Sequence, residues 1–254
     1  MKGNKITKIL TNLFSGFVVI SILASCSSDV DYSKLSAEEI YKIGEQEFKD
    51  EHYSTAAEAY SNIDTNYPYS SLASVGLLKG AFAYYKDDKY NEALDLIDKF
   101  LRINPNSSDV SYAYYLQIQC YLKQMSDYRR DQMATVDALK SIEYLKQNYP
   151  ESEYTKELLP NIELLNNQLA AKELQVGKEE LRINNFAAAI NSFQIVIDKY
   201  NKSALVPEAL YRLIETYTSM NLPDFRKIIY DKLSVDYPNN VWKVRADNLI
   251  NNII

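Results

Sequence analysis

Residues 44–68 read GEQEFKDEHYSTAAEAYSNIDTNYP, and a few positions in that stretch set the reading of the whole chain. Ala56 is followed four residues later by Tyr60 and eight residues after that by Pro68, while Gly44 precedes Ala56 by twelve. Small residues at Gly44 and Ala56 let two helices cross closely. The proline ends the second helix, because its ring disfavours helical backbone at the residue before it. The same order returns as Ala93, Ile97 and Pro105, as Ala138, Ile142 and Pro150, as Ala189, Phe193 and Asn201, and as Arg226, Tyr230 and Pro238. Ala81 and Gly177 take the place of Gly44 in the second and fourth units. Self-similarity at such a period marks a stack of helical hairpins, each burying its apolar face on its neighbours.

The pattern resembles the tetratricopeptide repeat, which carries Gly or Ala on its first helix, Ala and an aromatic on its second, and Pro at the exit. The expected fold is therefore all-α, a solenoid of about five helical hairpins closed by a C-terminal capping helix. Helices are predicted over 36–50 and 53–66, 70–87 and 90–103, 109–125 and 132–148, 153–183 and 186–200, 204–220 and 223–236, with the cap from about 241. Ser36 with Glu39 makes a capping box, and Ser70 and Ser152 are N-cap candidates. Pro68 and Pro105 are 37 apart, but Pro150 to Asn201 is 51, a surplus of 14 that is close to four helical turns. That surplus lengthens one helix without turning its apolar face, and Pro160 inside it kinks the helix or marks its true start.

Composition excludes several chemistries. The six glycines are too few for the tight turns of sandwiches and barrels, and neither G-x-G-x-x-G nor a Walker sequence occurs. One histidine and two cysteines do not make a zinc cluster, so neither a metal nor another cofactor is expected. Residues 1–25 have a Lys-bearing start, an apolar stretch from Ile9 to Ala24 and small residues at its end, the three parts of a secretory signal. Removing Lys2, Lys5 and Lys8 with that segment leaves 25 basic against 34 acidic side chains, a net charge of −9. An acidic chain without a Lys/Arg run is a poor nucleic-acid binder.

Leu23-Ala24-Ser25-Cys26 resembles the lipobox of bacterial lipoproteins, which implies acylation of Cys26, palmitate included, and cleavage before it. A general signal peptide with a chance cysteine is the other reading. Ser27, rather than aspartate, follows the cysteine, which by the same resemblance implies the outer membrane on its periplasmic face. Residues 26–35 read as a lipidated tether and 36–254 as the repeat domain. The nine residues 27–35 span roughly 30 Å when extended, so the solenoid stays near the membrane.

Several segments resemble the BamD family of the outer-membrane β-barrel assembly machinery. They are Tyr67-Pro68-Tyr69-Ser70, Ala83-Tyr84-Tyr85-Lys86, Ser111-Tyr112-Ala113-Tyr114-Tyr115-Leu116, Arg130-Asp131-Gln132, Leu169-Ala170-Ala171-Lys172-Glu173-Leu174-Gln175-Val176-Gly177, Ala187-Ala188-Ala189-Ile190-Asn191 and Val206-Pro207-Glu208-Ala209-Leu210-Tyr211-Arg212-Leu213. The resemblance implies a non-enzymatic assembly factor that binds unfolded outer-membrane protein precursors and a BamA-type barrel protein, alongside other assembly lipoproteins. The alternative is a pilotin-like or envelope-structural lipoprotein with the same repeats, and a cell-wall hydrolase is a distant third. Ile118, Ser192 and Arg226 depart from the residues common in the family, and Arg226 implies a looser crossing in the fifth unit.

Tyrosine is abundant, 22 of 254 residues. First helices line the concave face of such a solenoid, and repeat spacing puts Tyr41, Glu45 and Phe48, then Leu78, Phe82 and Tyr85, then Tyr115 and Gln119 along it. Aromatic side chains offer large contact area with few rotors to freeze, which suits a groove that binds many sequences. The competing reading makes them inter-repeat core, since the two faces differ by one helical step. Cys120 is expected buried and His52 exposed at a turn. Asp127-Tyr128-Arg129-Arg130-Asp131-Gln132 either ties down its own connector or offers charges to a partner.

Overall fold

The computed structural model describes residues 30–251; the signal segment 1–25 and Cys26 lie outside them. The chain divides before Ser36, and residues from Ser36 onward form one compact unit. Ahead of it, Tyr32–Lys34 form a short 3-10 turn in which Lys34 pairs with Asp31 at 2.7 Å.

The compact unit is a tetratricopeptide-type solenoid of five hairpins with a capping helix. Its elements are α1 (Ala37–Lys49), α2 (Tyr53–Asn66), α3 (Ser71–Lys86), α4 (Tyr90–Ile103), α5 (Val110–Gln124), α6 (Met133–Asn148), α7 (Glu153–Leu158), α8 (Asn161–Arg182), α9 (Phe186–Asp198), α10 (Val206–Ser219), α11 (Pro223–Asp236) and α12 (Val241–Asn251). No strand occurs among the described residues. Ser36 and Glu39 close a reciprocal capping box, with Ser36 N donating to the Glu39 carboxylate at 2.8 Å and Glu39 N to Ser36 Oγ at 3.3 Å. Ser70 Oγ accepts from Leu72 N at 3.2 Å. Ser152 holds the N-cap position without a side-chain bond to the helix, so only its placement follows the sequence expectation.

Two turn types alternate, each written in the sequence. Within the first, second, fourth and fifth hairpins the link is three residues long, and its middle residue is left-handed: Glu51, Asp88, Asn184 and Asn221, with φ of 63°, 57°, 61° and 54°. The next amide reaches five residues back in each, as from His52 N to Glu47 O at 2.9 Å and Lys89 N to Tyr84 O at 2.9 Å, which satisfies a carbonyl at the helix end. Glu51 carries a side chain where glycine is free of strain, and Glu51→Gly is expected to raise stability by about 0.5–1 kcal/mol. Equilibrium denaturation checks this; an unchanged midpoint refutes it.

Between hairpins, Tyr67, Asn104, Tyr149 and Tyr237 all leave the helix with φ between −137° and −126°, each directly before its proline. In the fourth unit, which has Asn201 in place of proline, α9 ends one position earlier in the repeat, capped by Lys199 with helical backbone. A proline disfavours helical backbone at the residue before it, in keeping with these four exits.

The fourth unit's extra length is helical but interrupted: 6 residues in α7 and 22 in α8 stand where the second unit has the 16 of α3. Pro160 has no N–H to continue the ladder, and it precedes the true start of the long helix. The third unit's extra residues lie mostly in the connector 125–132 between α5 and α6.

The small residues sit where the helices cross. Ala56, Ala81, Ala93, Ala138 and Ala189 are fully buried, and a Cβ on Gly44 would lie 2.7 Å from the Tyr60 ring. Ala93→Leu is expected to cost about 1–3 kcal/mol by overpacking, and a variant that melts like the parent would refute this register. Arg226 in the fifth unit is half-buried, Leu233 is the one buried residue of α11 among those described, and Ile229 and Tyr230 pack partly buried against the same core. Among the described residues, apolar clusters run from Leu77 to Cys120, from Ile118 to Leu165 and from Leu169 to Ala246, and Ile40, Ala57, Tyr60 and Ile63 are buried in the first unit.

Candidate functional site

The ends of the first helices in units one and two bring Phe48, Phe82 and Tyr85 together. Phe48 and Phe82 stack with centroids 5.8 Å apart, and Phe82 and Tyr85 stack at 6.3 Å. Tyr53 meets Phe48 edge-on at 5.2 Å, and Tyr90 lies 5.9 Å from Tyr85. All five rings are half-buried, so each keeps part of its area for a ligand. Tyr53 and Tyr90 come from the second helices and were not foreseen; each stands three residues before the crossing alanine, Ala56 or Ala93, a repeat position that identifies them.

Tyr41 lies apart from this ladder, edge-on to Tyr60 at 5.7 Å. Lys79 sits over both rings at 5.4 and 5.7 Å and pairs with Glu45, which also accepts from the Tyr60 phenol. Burial and the Glu45 carboxylate both hold the Tyr60 phenol protonated far above the usual tyrosine range. Burial opposes charge on Glu45, but Lys79 and Tyr60 outweigh it, so its pKa is lowered. This node fastens α1, α2 and α3 together at the groove wall.

Tyr115 belongs to a second aromatic group with Tyr112 at 6.4 Å and Tyr154 at 5.0 Å. Its phenol donates to Glu157 at 2.9 Å and is pushed up to about 12, chiefly by burial and then by that carboxylate. Leu78 requires a correction. At 7% exposure it is part of the core with Leu77, Ala81 and Val110, although it shares a stripe with Phe82 and Tyr85. It lies mid-helix in α3, which packs on α4 and α5, whereas the two aromatics lie near the helix end and reach past the contact.

The third-unit connector is tied to itself and to the long helix. Asp127 accepts from Arg129 N at 3.0 Å and Arg129 Nε at 2.8 Å, and these bonds lower its carboxyl to about 2. Gln168 Nε2 donates to Ser126 O at 2.7 Å, across 42 residues of sequence. Cys120 is fully buried, and burial pushes its thiol up to about 12. His52 is exposed, with Nδ1 2.9 Å from Glu47. No group of three His, Cys, Asp or Glu among the described residues is placed to hold a metal ion. No helix among the described residues is long and apolar enough to cross a membrane.

The C-terminal end is chemically different. Arg212 pairs with Glu215 at 2.7 Å and Glu208 at 3.3 Å, and lies over the Tyr211 and Trp242 rings at 5.4 Å each. Lys178 also reaches Glu208, at 3.1 Å. Beyond this charged patch, Phe225, Ile228 and Val235 on α11 and Val241 and Val244 on α12 are each more than half exposed. The sequence reading missed this face, because residues 225, 228 and 235 were not distinguished from the core-facing pattern through Tyr230.

The family model described as YfiO, an outer membrane lipoprotein, matches residues 33–233. The chain is 31% identical over 220 residues to the outer membrane protein assembly factor BamD of Caulobacter vibrioides, covering 87% of this chain and 72% of that one. It is 33% identical over 246 residues to BamD of Rickettsia prowazekii, covering 96% and 98%. A solved thermophilic TPR protein of Thermus thermophilus is similar with a TM-score of 0.35 and 17% identity, over 85% of this chain and 99% of that one. With the family model matched over 33–233 and a third of its residues shared with a relative along nearly the whole of both lengths, the chain belongs to the YfiO/BamD family of outer membrane lipoproteins.

Proposed function

We propose that this chain is an outer membrane protein assembly factor that works as a non-catalytic scaffold, held to the periplasmic face of the outer membrane by lipid on Cys26. Residues 1–25 are then the removed signal, 26–35 the tether and 36–254 the working domain. The ring ladder of Phe48, Phe82 and Tyr85 carries the reading of its N-terminal half: half-buried, mutually stacked rings give apolar contact to strands not yet paired, without demanding one sequence. Tyr41 and Tyr115 extend that surface along the first helices. The charged patch at Arg212 and the apolar stripe on α11 and α12 suit a folded partner, which we assign to a BamA-type barrel protein with other assembly lipoproteins beside it. Family membership favours this over a pilotin-like or envelope-structural role.

The test pairs two measurements on one variant. Phe82→Ala with Tyr85→Ala is expected to weaken binding of a barrel C-terminal strand peptide by about 10-fold or more, as loss of two aromatic contacts at about 1 kcal/mol each implies. Capture of the BamA-type protein should persist. Peptide binding at the parental affinity would return these rings to a purely structural role. Processing is tested separately, since Cys26→Ala should leave the chain unprocessed or mislocalised, and an intact mass with an unmodified N-terminus would overturn the anchor.

A further inference from the structure

We infer that the edge of the solenoid carrying the connectors after α2 and α4 rests in the lipid interface, with Tyr69 and Ile103 as the side chains that enter it. The inference rests on the anchor at Cys26. Because each hairpin is antiparallel, the start of α1, the end of α2, the start of α3 and the end of α4 share one edge, while the three-residue turns at Glu51 and Asp88 lie on the other. The tether joins at Ser36, on the first of these edges. Nine residues separate it from Cys26, a reach of roughly 30 Å even when fully extended.

That same edge presents apolar side chains that the fold leaves unused. Tyr69, next to Pro68, is 102% exposed, so its whole ring lies in solvent, and Ile103 at the end of α4 is 50% exposed. The connectors of the third and fourth units, farther from the tether, expose Pro150 and Glu151, and Asn201 and Lys202, in the corresponding turns. A tyrosine has an apolar body and a polar tip, which matches the headgroup boundary of a bilayer. Glu38, Glu39 and Asp109 lie on this edge beside Arg102, so attraction to anionic headgroups is not the driving force, and a zwitterionic surface is the one it fits. The anchor already confines the chain to the surface, so a contact of two side chains suffices to choose which edge faces down.

The experiment uses the mature chain with Trp242→Phe as background, carrying Tyr69→Trp, Ile103→Trp or, on the opposite edge, Lys49→Trp. Each is coupled through Cys26 to a maleimide lipid in phosphatidylethanolamine/phosphatidylcholine vesicles with and without a dibrominated phosphatidylcholine; the buried Cys120 does not compete for the reagent. Emission from Trp at 69 and 103 should shift to the blue and be quenched by the brominated lipid, with position 49 unaffected. Two reporters keep the result readable if one substitution disturbs its connector. Quenching at 69 and 103 no greater than at 49 would overturn the inference, whether the edge then meets water or a protein. Failure of the anchor itself is read elsewhere: an unacylated Cys26 in the intact mass of the cell-made protein refutes the natural anchor, while the coupled chain still decides which edge takes to lipid.

Discussion

Phe193→Ala is expected to lower the unfolding free energy by about 3–5 kcal/mol, the range for removing a fully buried aromatic side chain. Phe193 has no exposed surface, and its ring is so close to the α8 backbone that a Cβ on Gly177 would sit 2.5 Å from it. The ring therefore fills the crossing of α8 and α9, and the helices must move together before the cavity closes. It also packs in the cluster that runs from Leu169 to Ala246, so its loss loosens the fourth and fifth units at once. In a solenoid each unit is stabilised by its neighbours, and the third unit should be weakened as well. Urea denaturation followed by circular dichroism measures the effect. A loss under about 1 kcal/mol would mean that the crossing is not as described.

The second large effect is expected from Gly76→Val, at about 3 kcal/mol, the upper part of the range for overpacking. Gly76 faces α2 across the boundary between the first two units, and an added Cβ would lie 2.6 Å from the carbonyl oxygen of Tyr60. At Gly44 and Gly177 the obstacle is a ring, but here it is backbone inside a helix, which has no rotamer to escape into. Relief requires α2 and α3 to separate, and that separation also strains the seat of Tyr60 against Glu45 and Lys79. A thermal melt close to the parent's would show that the two units tolerate a wider spacing. Gly80 offers the graded control: its Cβ would meet Leu96 Cδ1 at 3.0 Å and Ala57 O at 3.2 Å, so Gly80→Ala should cost less.

The elements that the sequence alone determined are those set by short-range chemistry. Prolines 68, 105, 150 and 238 disfavour helical backbone at the residue before each of them, and this is a steric property of two adjacent residues. The capping box at Ser36 is complete within four residues. The crossings at Ala56, Ala93, Ala138 and Ala189 were legible because close helix approach needs a small side chain at a fixed interval, whatever surrounds it. Even the broken long helix was marked, since Pro160 has no amide proton to give.

Tertiary structure alone decided which side of a helix contact each side chain occupies. Leu78, Phe82 and Tyr85 fall on one stripe by spacing, yet the first is core and the others are half-buried, because the neighbouring helices cover the middle of α3 more fully than its end. Tyr53 and Tyr90 join the ladder from second helices, an association that exists only once the hairpins close. The choice between a self-tied connector and a free charged one at Asp127 turned on Gln168, far along the chain in α8. Phe225, Ile228 and Val235 on α11 and Val241 and Val244 on α12 stay exposed although apolar, which periodicity alone does not state. Periodicity states that a face is apolar; burial depends on how near the next helix comes, and that distance is a property of the packed stack rather than of any segment in it.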